Sequence, residues 1–213
     1  VSGCEAYMEQ QVIEYGTVNN FANAWYFGSN AGIDFNPLFD EGDPFFPSIQ
    51  AITPTYQPDK FLGGNQINFG PDNDLAEGVA IFCDQGGRPI VYSNGMEVWN
   101  RDNDLIETNL GGDPLATQSV FITVNPADAT VYYIFYTKEV PNAAGSYEFG
   151  YAIFDLKLRS GGGDLVRLPD GSVNTTTLFN CNSERITGNG AWVVVHEFGY
   201  NNFRAYPITA LGI

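Results

Sequence analysis

The chain has 213 residues, 44% hydrophobic and 15% aromatic, which suits one large domain or two small ones and excludes a disordered acidic tail. Its 25 acidic against 9 basic side chains leave a net charge of −16, which excludes a nucleic-acid surface built on clustered cations. No apolar run reaches the roughly 18 residues of a membrane span, and a single histidine, His196, excludes any site that needs two.

The chain starts at Val1 rather than Met, as a processed or truncated product would. Val1-Ser2-Gly3-Cys4 has the small-residue context in which bacterial lipoproteins are cleaved before a cysteine, although four residues match easily by chance. Glu5 to Tyr15 places Met8, Val12 and Tyr15 on one helical face, and a strand suits the segment almost as well. Trp25-Tyr26-Phe27-Gly28 reads as a strand. Residues 36–75 hold Pro37, Pro44, Pro47, Pro54, Pro58 and Pro71, and proline interrupts ladders. They predict a long irregular excursion with room for two short strands.

From residue 76 onward, period-2 runs and turn dipeptides take over. Val79 to Cys83 and Pro89 to Tyr92 are strands joined by Asp84-Gln85-Gly86-Gly87, and Ser93-Asn94-Gly95 turns the chain into Met96-Glu97-Val98-Trp99. The three lie too close for intervening helices, so they form a meander. Ser119 to Val124, Thr130 to Tyr136 and Phe149 to Leu156 repeat the pattern, as do Ser183 to Thr187, Ala191 to Glu197 and Phe203 to Ile208. Each unit predicts three or four antiparallel strands over roughly 40–50 residues, the spacing of propeller blades.

Candidate chemistry is sparse. His196-Glu197 opens like a zinc-protease motif, but Tyr200 stands where the second histidine is needed, and no G-x-S-x-G elbow is present. No catalytic or metal-binding residue is therefore assigned. Acidic turns occur at Asp40-Glu41-Gly42-Asp43, Asp72-Asn73-Asp74 and Asp102-Asn103-Asp104, with Asp-Asn-Asp-Leu appearing twice. Their oxygens suit Ca²⁺, the one cofactor the sequence admits, yet the Gly and Glu spacing of an EF-hand is absent and solvated turns explain both copies more simply. A carboxylate-pair glycosidase is chemically open to a chain with 25 acids, but no pair stands out. Tyr132, Tyr133, Tyr136, Tyr147 and Tyr151 lie in alternating strands, where some must face outward as sugar or partner contacts unless packing between blades absorbs them. Cys83 and Cys181 suit either a disulfide or two buried thiols. Asn174-Thr175-Thr176 is the one glycosylation sequon.

Trp25-Tyr26-Phe27-Gly28-Ser29-Asn30-Ala31-Gly32-Ile33-Asp34-Phe35-Asn36 resembles the opening of a β-propeller region of secreted Bacteroidetes surface proteins. Ser93 to Arg101 is similar to that family's second signature, with Asn94 where Asp is usual. Gly112-Asp113-Pro114, Thr117-Gln118-Ser119, Tyr132 to Phe135, Ser183 to Ile186, Trp192-Val193-Val194 and Asn202 to Tyr206 continue the series in order, from about residue 25 to the end.

The resemblance implies an all-β fold of antiparallel meander sheets arranged as a partial β-propeller of about three to four blades. Residues 1–24 would form an N-terminal arm and 25–213 the propeller. It also implies export through the type IX secretion system, an extracellular or outer-surface location, and a non-enzymatic role in adhesion, gliding or envelope assembly. Contacts with proteins or surface glycans would carry that role. The alternatives are a propeller glycoside hydrolase and a structural subunit of a filament or secretion assembly. A closed propeller needs more sheet than this, so the chain is expected to be part of a longer polypeptide or to have its open edge covered by a partner. The charge, spread over Asp- and Asn-rich turns, reads as the solubility coat of an exported β-protein.

Overall fold

The computed structural model describes residues 78–213, apart from 85–87, 114 and 142–144, together with the strand backbones of 24–27, 31–34 and 50–52. Cys4, the Glu5–Tyr15 segment and the first Asp-Asn-Asp-Leu copy lie outside the described residues. Among those described, the regular structure is antiparallel β-sheet plus one short 3-10 turn at Arg159–Gly161. β1 (Ala24–Phe27), β2 (Ala31–Asp34) and β3 (Gln50–Ile52) form a three-stranded sheet, with Trp25 opposite Ile33 and Ile33 opposite Ala51.

β4 (Ala80–Cys83), β5 (Pro89–Ser93), β6 (Val98–Asn100) and β7 (Leu105–Glu107) make the expected meander in sequential order. β6 begins two residues later than Met96, because the Asn94 side chain organises the turn. Its Oδ1 accepts the backbone N–H groups of Met96 (3.0 Å) and Glu97 (2.7 Å), while Gly95 takes φ 90°.

The third sheet is larger than a blade-by-blade reading predicts. β8 (Val120–Asn125), β9 (Asp128–Glu139), β10 (Tyr147–Asp155), β12 (Thr175–Gly188), β13 (Trp192–Glu197) and β14 (Phe203–Pro207) form one path in the order β8-β9-β10-β12-β13-β14. The two-residue β11 (Asp164–Leu165) pairs with β10 off this path. The last two sequence units are thus fused. Their link is β12, whose first half pairs with β10 as far as Asn182–Tyr147 and whose second half pairs with β13 from Asn182–Glu197 to Gly188–Val193. Between Asn182 and Ile186 the β12–β13 register slips, and such bulges bend and twist a strand. Gln118 makes an isolated parallel bridge to Arg185, so β12 curls back toward the start of β8.

This curl explains why β9 is buried along both parities from Tyr132 to Thr137. Alternation sends Ile134 and Tyr136 to a core shared with Val91, Val98 and Ile106 of the four-stranded meander. Tyr133 and Phe135 point the other way, into a second core with Phe149, Ile186, Val193 and Val195. Phe135 has no exposed surface and stacks on Phe149 at 5.7 Å and 12°. Burying one such ring contributes about 1.5–3 kcal/mol.

Packing accordingly absorbs most of the tyrosines that could have faced outward, and Tyr147 is half-buried at the start of β10. Tyr132, Tyr133 and Tyr136 are buried, and half-buried Tyr151 packs edge-on against Tyr133 at 5.6 Å. Both faces of β9 and β10 are covered, so period-2 alternation there separates two cores rather than core from solvent. Cys83 is buried in β4, whereas Cys181 sits half-buried in β12 with its Sγ 3.8 Å from the Phe198 carbonyl. They stand in different sheets and no bond joins them.

Candidate functional site

The second Asp-Asn-Asp turn is a folding device. Asn100, 1% exposed, accepts the backbone N–H groups of Asp102 and Asp104 on Oδ1, each at 3.0 Å, and donates from Nδ2 to the Gly163 carbonyl at 3.2 Å. Asn103 adopts φ 61°, a left-handed conformation that Asn tolerates, and its Oδ1 accepts the Tyr92 hydroxyl at 2.8 Å. Among the described residues, no three His, Cys, Asp or Glu side chains converge as a metal site would require.

Glu97 is the most perturbed buried carboxyl. It is 5% exposed in the β5–β6 turn, and burial pushes its pKa up from 4.5 to about 6, opposed by a hydrogen bond with Asn94. The folded state therefore holds a proton that the unfolded chain has lost between those two values. Glu97 adds stability fully below about pH 4.5, and that contribution disappears as pH rises through about 6. The loss is at most about 2 kcal/mol. We expect Glu97→Gln to be more stable than the parent at pH 7.5 and nearly equal to it at pH 4.5. Denaturant midpoints measured across that range check this, and parallel pH profiles would refute it.

His196 and Glu197 close β13 as a strand-end pair. The imidazole meets the Phe203 ring edge-on at 5.0 Å and 60°, and Glu197 pairs with Arg204 at 3.4 Å. Tyr200, at the position a zinc protease would fill with histidine, is 62% exposed.

Among the described residues a concavity lies where β12 slips its register. It is a groove of about 660 Å³ lined by Gln118, by Ser183 to Thr187, by Val194 to His196, and by Phe198, Gly199 and Phe203. Its size and mostly apolar walls fall in the range of ligand sites. The slip leaves polar groups unspent: the Ser183 hydroxyl and both side-chain polar atoms of fully buried Asn182 have no hydrogen-bond partner. Glu184 is turned to Thr117, which donates from its hydroxyl (2.9 Å) and its backbone N–H (3.4 Å). Arg185, exposed on the groove wall, makes no ion pair among the described residues.

The groove opens onto an uncovered sheet face. In β13, Val193 and Val195 enter the second core while Trp192, Val194 and His196 alternate to the opposite side. Across the ladder these stand opposite Pro207, Ala205 and Phe203 of β14. Trp192 is 46% and Phe203 70% exposed. A strand apolar on both faces is the pattern of a strand covered on both faces, yet here one side is bare. β14 also ends its sheet, and no strand among the described residues pairs with its outer backbone edge.

The sequence reading found the strands that carry this site and missed the site itself. It looked for outward aromatics among the tyrosines of β9 and β10. The available signal was Trp192-Val193-Val194-Val195, where no polar residue interrupts either parity. No helix among the described residues is long and apolar enough to cross a membrane. Comparison of the chain with known protein families, curated proteins and solved structures finds no match.

Proposed function

We propose that the chain is a non-enzymatic extracellular domain that serves adhesion or envelope assembly through contacts with proteins or glycans. The observation that carries this reading is the exposed apolar face of β12–β14 beside the sheet-ending strand β14, a surface of the kind that partners cover. The resemblance to type IX-secreted Bacteroidetes surface proteins supplies the location, exported and displayed outside the cell. We read the β4–β7 meander, packed through its face on β8–β10, as adjacent blades of a partial β-propeller. The outer edge of β14 is then where a further sheet, from the same polypeptide or a partner, continues the array.

The test couples the protein to beads and exposes them to polysaccharide and glycoprotein surfaces. Retention on at least one surface, with no release of reducing ends or peptides, is the expected result. Steady release of reducing ends would place the chain among glycoside hydrolases and overturn the reading. Failure to adhere to every surface would overturn it as well.

A further inference from the structure

We propose that the outer face of β12–β14 is a binding site for a carboxylate-bearing glycan, with Arg185 holding the carboxylate and the Trp192 and Phe203 rings stacking on sugar faces. This rests on the adhesion reading above and specifies its ligand.

Charge singles out the face. In a chain with 25 acidic residues, the side chains that alternation places on this side of β13 and β14 are Trp192, Val194, His196, Phe203, Ala205 and Pro207, none of them acidic. The nearby carboxylates are occupied: Glu184 accepts two hydrogen bonds from Thr117, and Glu197 is paired with Arg204. Arg204 in turn lies over the Phe179 ring, at 3.9 Å from its centroid. Arg185 is thus an exposed cation without an ion-pair partner among the described residues, beside an apolar face whose β13 and β14 side chains carry no acid. Glu184 lines the same groove but is turned to Thr117, and a planar guanidinium matches a carboxylate in a two-bond geometry. The chain's overall negative charge acts weakly here, because a Debye length of about 8 Å screens distant acids at physiological salt.

Shape and hydrogen bonding agree. Trp192 and the ladder partner of Phe203 are four residues apart along β13, so their backbone positions stand about 13 Å apart along the strand, the reach of a short oligosaccharide. Between them lie Val194 and the His196 ring, which Phe203 holds edge-on. The groove adds donors and acceptors on one wall: Gln118, Thr187 and the Ser183 hydroxyl, which is buried without a partner. Another sheet layer would cover the rings equally well, but it would leave the Arg185 guanidinium without an ion-pair partner.

The experiment titrates the full chain with trigalacturonate and with neutral galactotriose by calorimetry, alongside Arg185→Ala, Trp192→Ala and Phe203→Ala. Sedimentation and melting temperature are recorded for each protein. All three side chains are exposed, so the melting temperatures should match the parent's within a few degrees. The expected result is binding of trigalacturonate roughly tenfold tighter than of galactotriose, about 1.4 kcal/mol. Arg185→Ala should erase that preference, and either ring truncation should weaken both ligands. Absent binding, equal affinity for the two sugars, or unchanged affinity in all variants would overturn the proposal. A dimer dissociated by Phe203→Ala would assign the face to a second copy and overturn it too. Beads that still adhere to glycoproteins when trigalacturonate fails to bind would leave the adhesion reading standing and remove only this ligand.

Discussion

Replacing Phe135 with alanine should destabilise the protein by about 3–5 kcal/mol, as expected for deleting a fully buried ring without collapse of the site. The site has little freedom to collapse. Phe135 is central in its sheet, opposite Tyr151 on β10 and Phe121 on β8, with Phe149 stacked on its face. The second core closes over it only because β13 and β14 swing across from β12. Urea denaturation followed by tryptophan fluorescence measures the loss. A value below about 1 kcal/mol would mean that this core is not packed as described.

Asn100→Ala should cost about 2–4 kcal/mol, more than most polar substitutions. The change deletes a buried amide that makes three hydrogen bonds, and each backbone donor it abandons adds a desolvation penalty. The bond to Gly163 also reaches across 63 positions of sequence, and it ties the β6–β7 turn to the loop before β11. Gly163 takes φ 88° and has no room for a Cβ against the Phe154 ring, so the loop cannot easily shift to find a new partner. Asp102→Ala is the control: its side chain is exposed beside the same turn and should change stability by less than about 0.5 kcal/mol. Equal losses in the two variants would refute the role given to Asn100.

The local chemistry of the chain was legible wherever a turn residue dictates its own geometry. Asn125-Pro126-Ala127-Asp128 and Gly188-Asn189-Gly190 carry turn residues at the β8–β9 and β12–β13 connections, and Phe203 starts β14 where the expected strand does. What was not legible is which strands share a sheet. Thr175 to Phe179 carries mostly threonine and shows no apolar alternation, so it raises no strand expectation, yet it forms the first half of β12. Its partner, β10, supplies the pairing through long-range backbone bonds that leave no local trace. β7 and β11 were missed for a related reason, since strands of three and two residues are too short for a period. The candidate site shared this limit. Arg185 and Phe203 are eighteen positions apart in sequence, and only the β12–β13–β14 register brings them to one face.

The order of strands in the large sheet also sets how the molecule answers to force. β14 is held by a single ladder to β13, and β13 by a short ladder to β12 interrupted at the register slip. Tension drawn from the C-terminal end of β14 breaks those ladder bonds one pair at a time, as in opening a zip. β9, flanked on both sides and buried on both faces, has its bonds loaded together and yields last. A domain of this build under pull gives up its outer strands at low force, opening the core that β13 and β14 close, and lengthens while the core between β9 and the four-stranded meander stays shut.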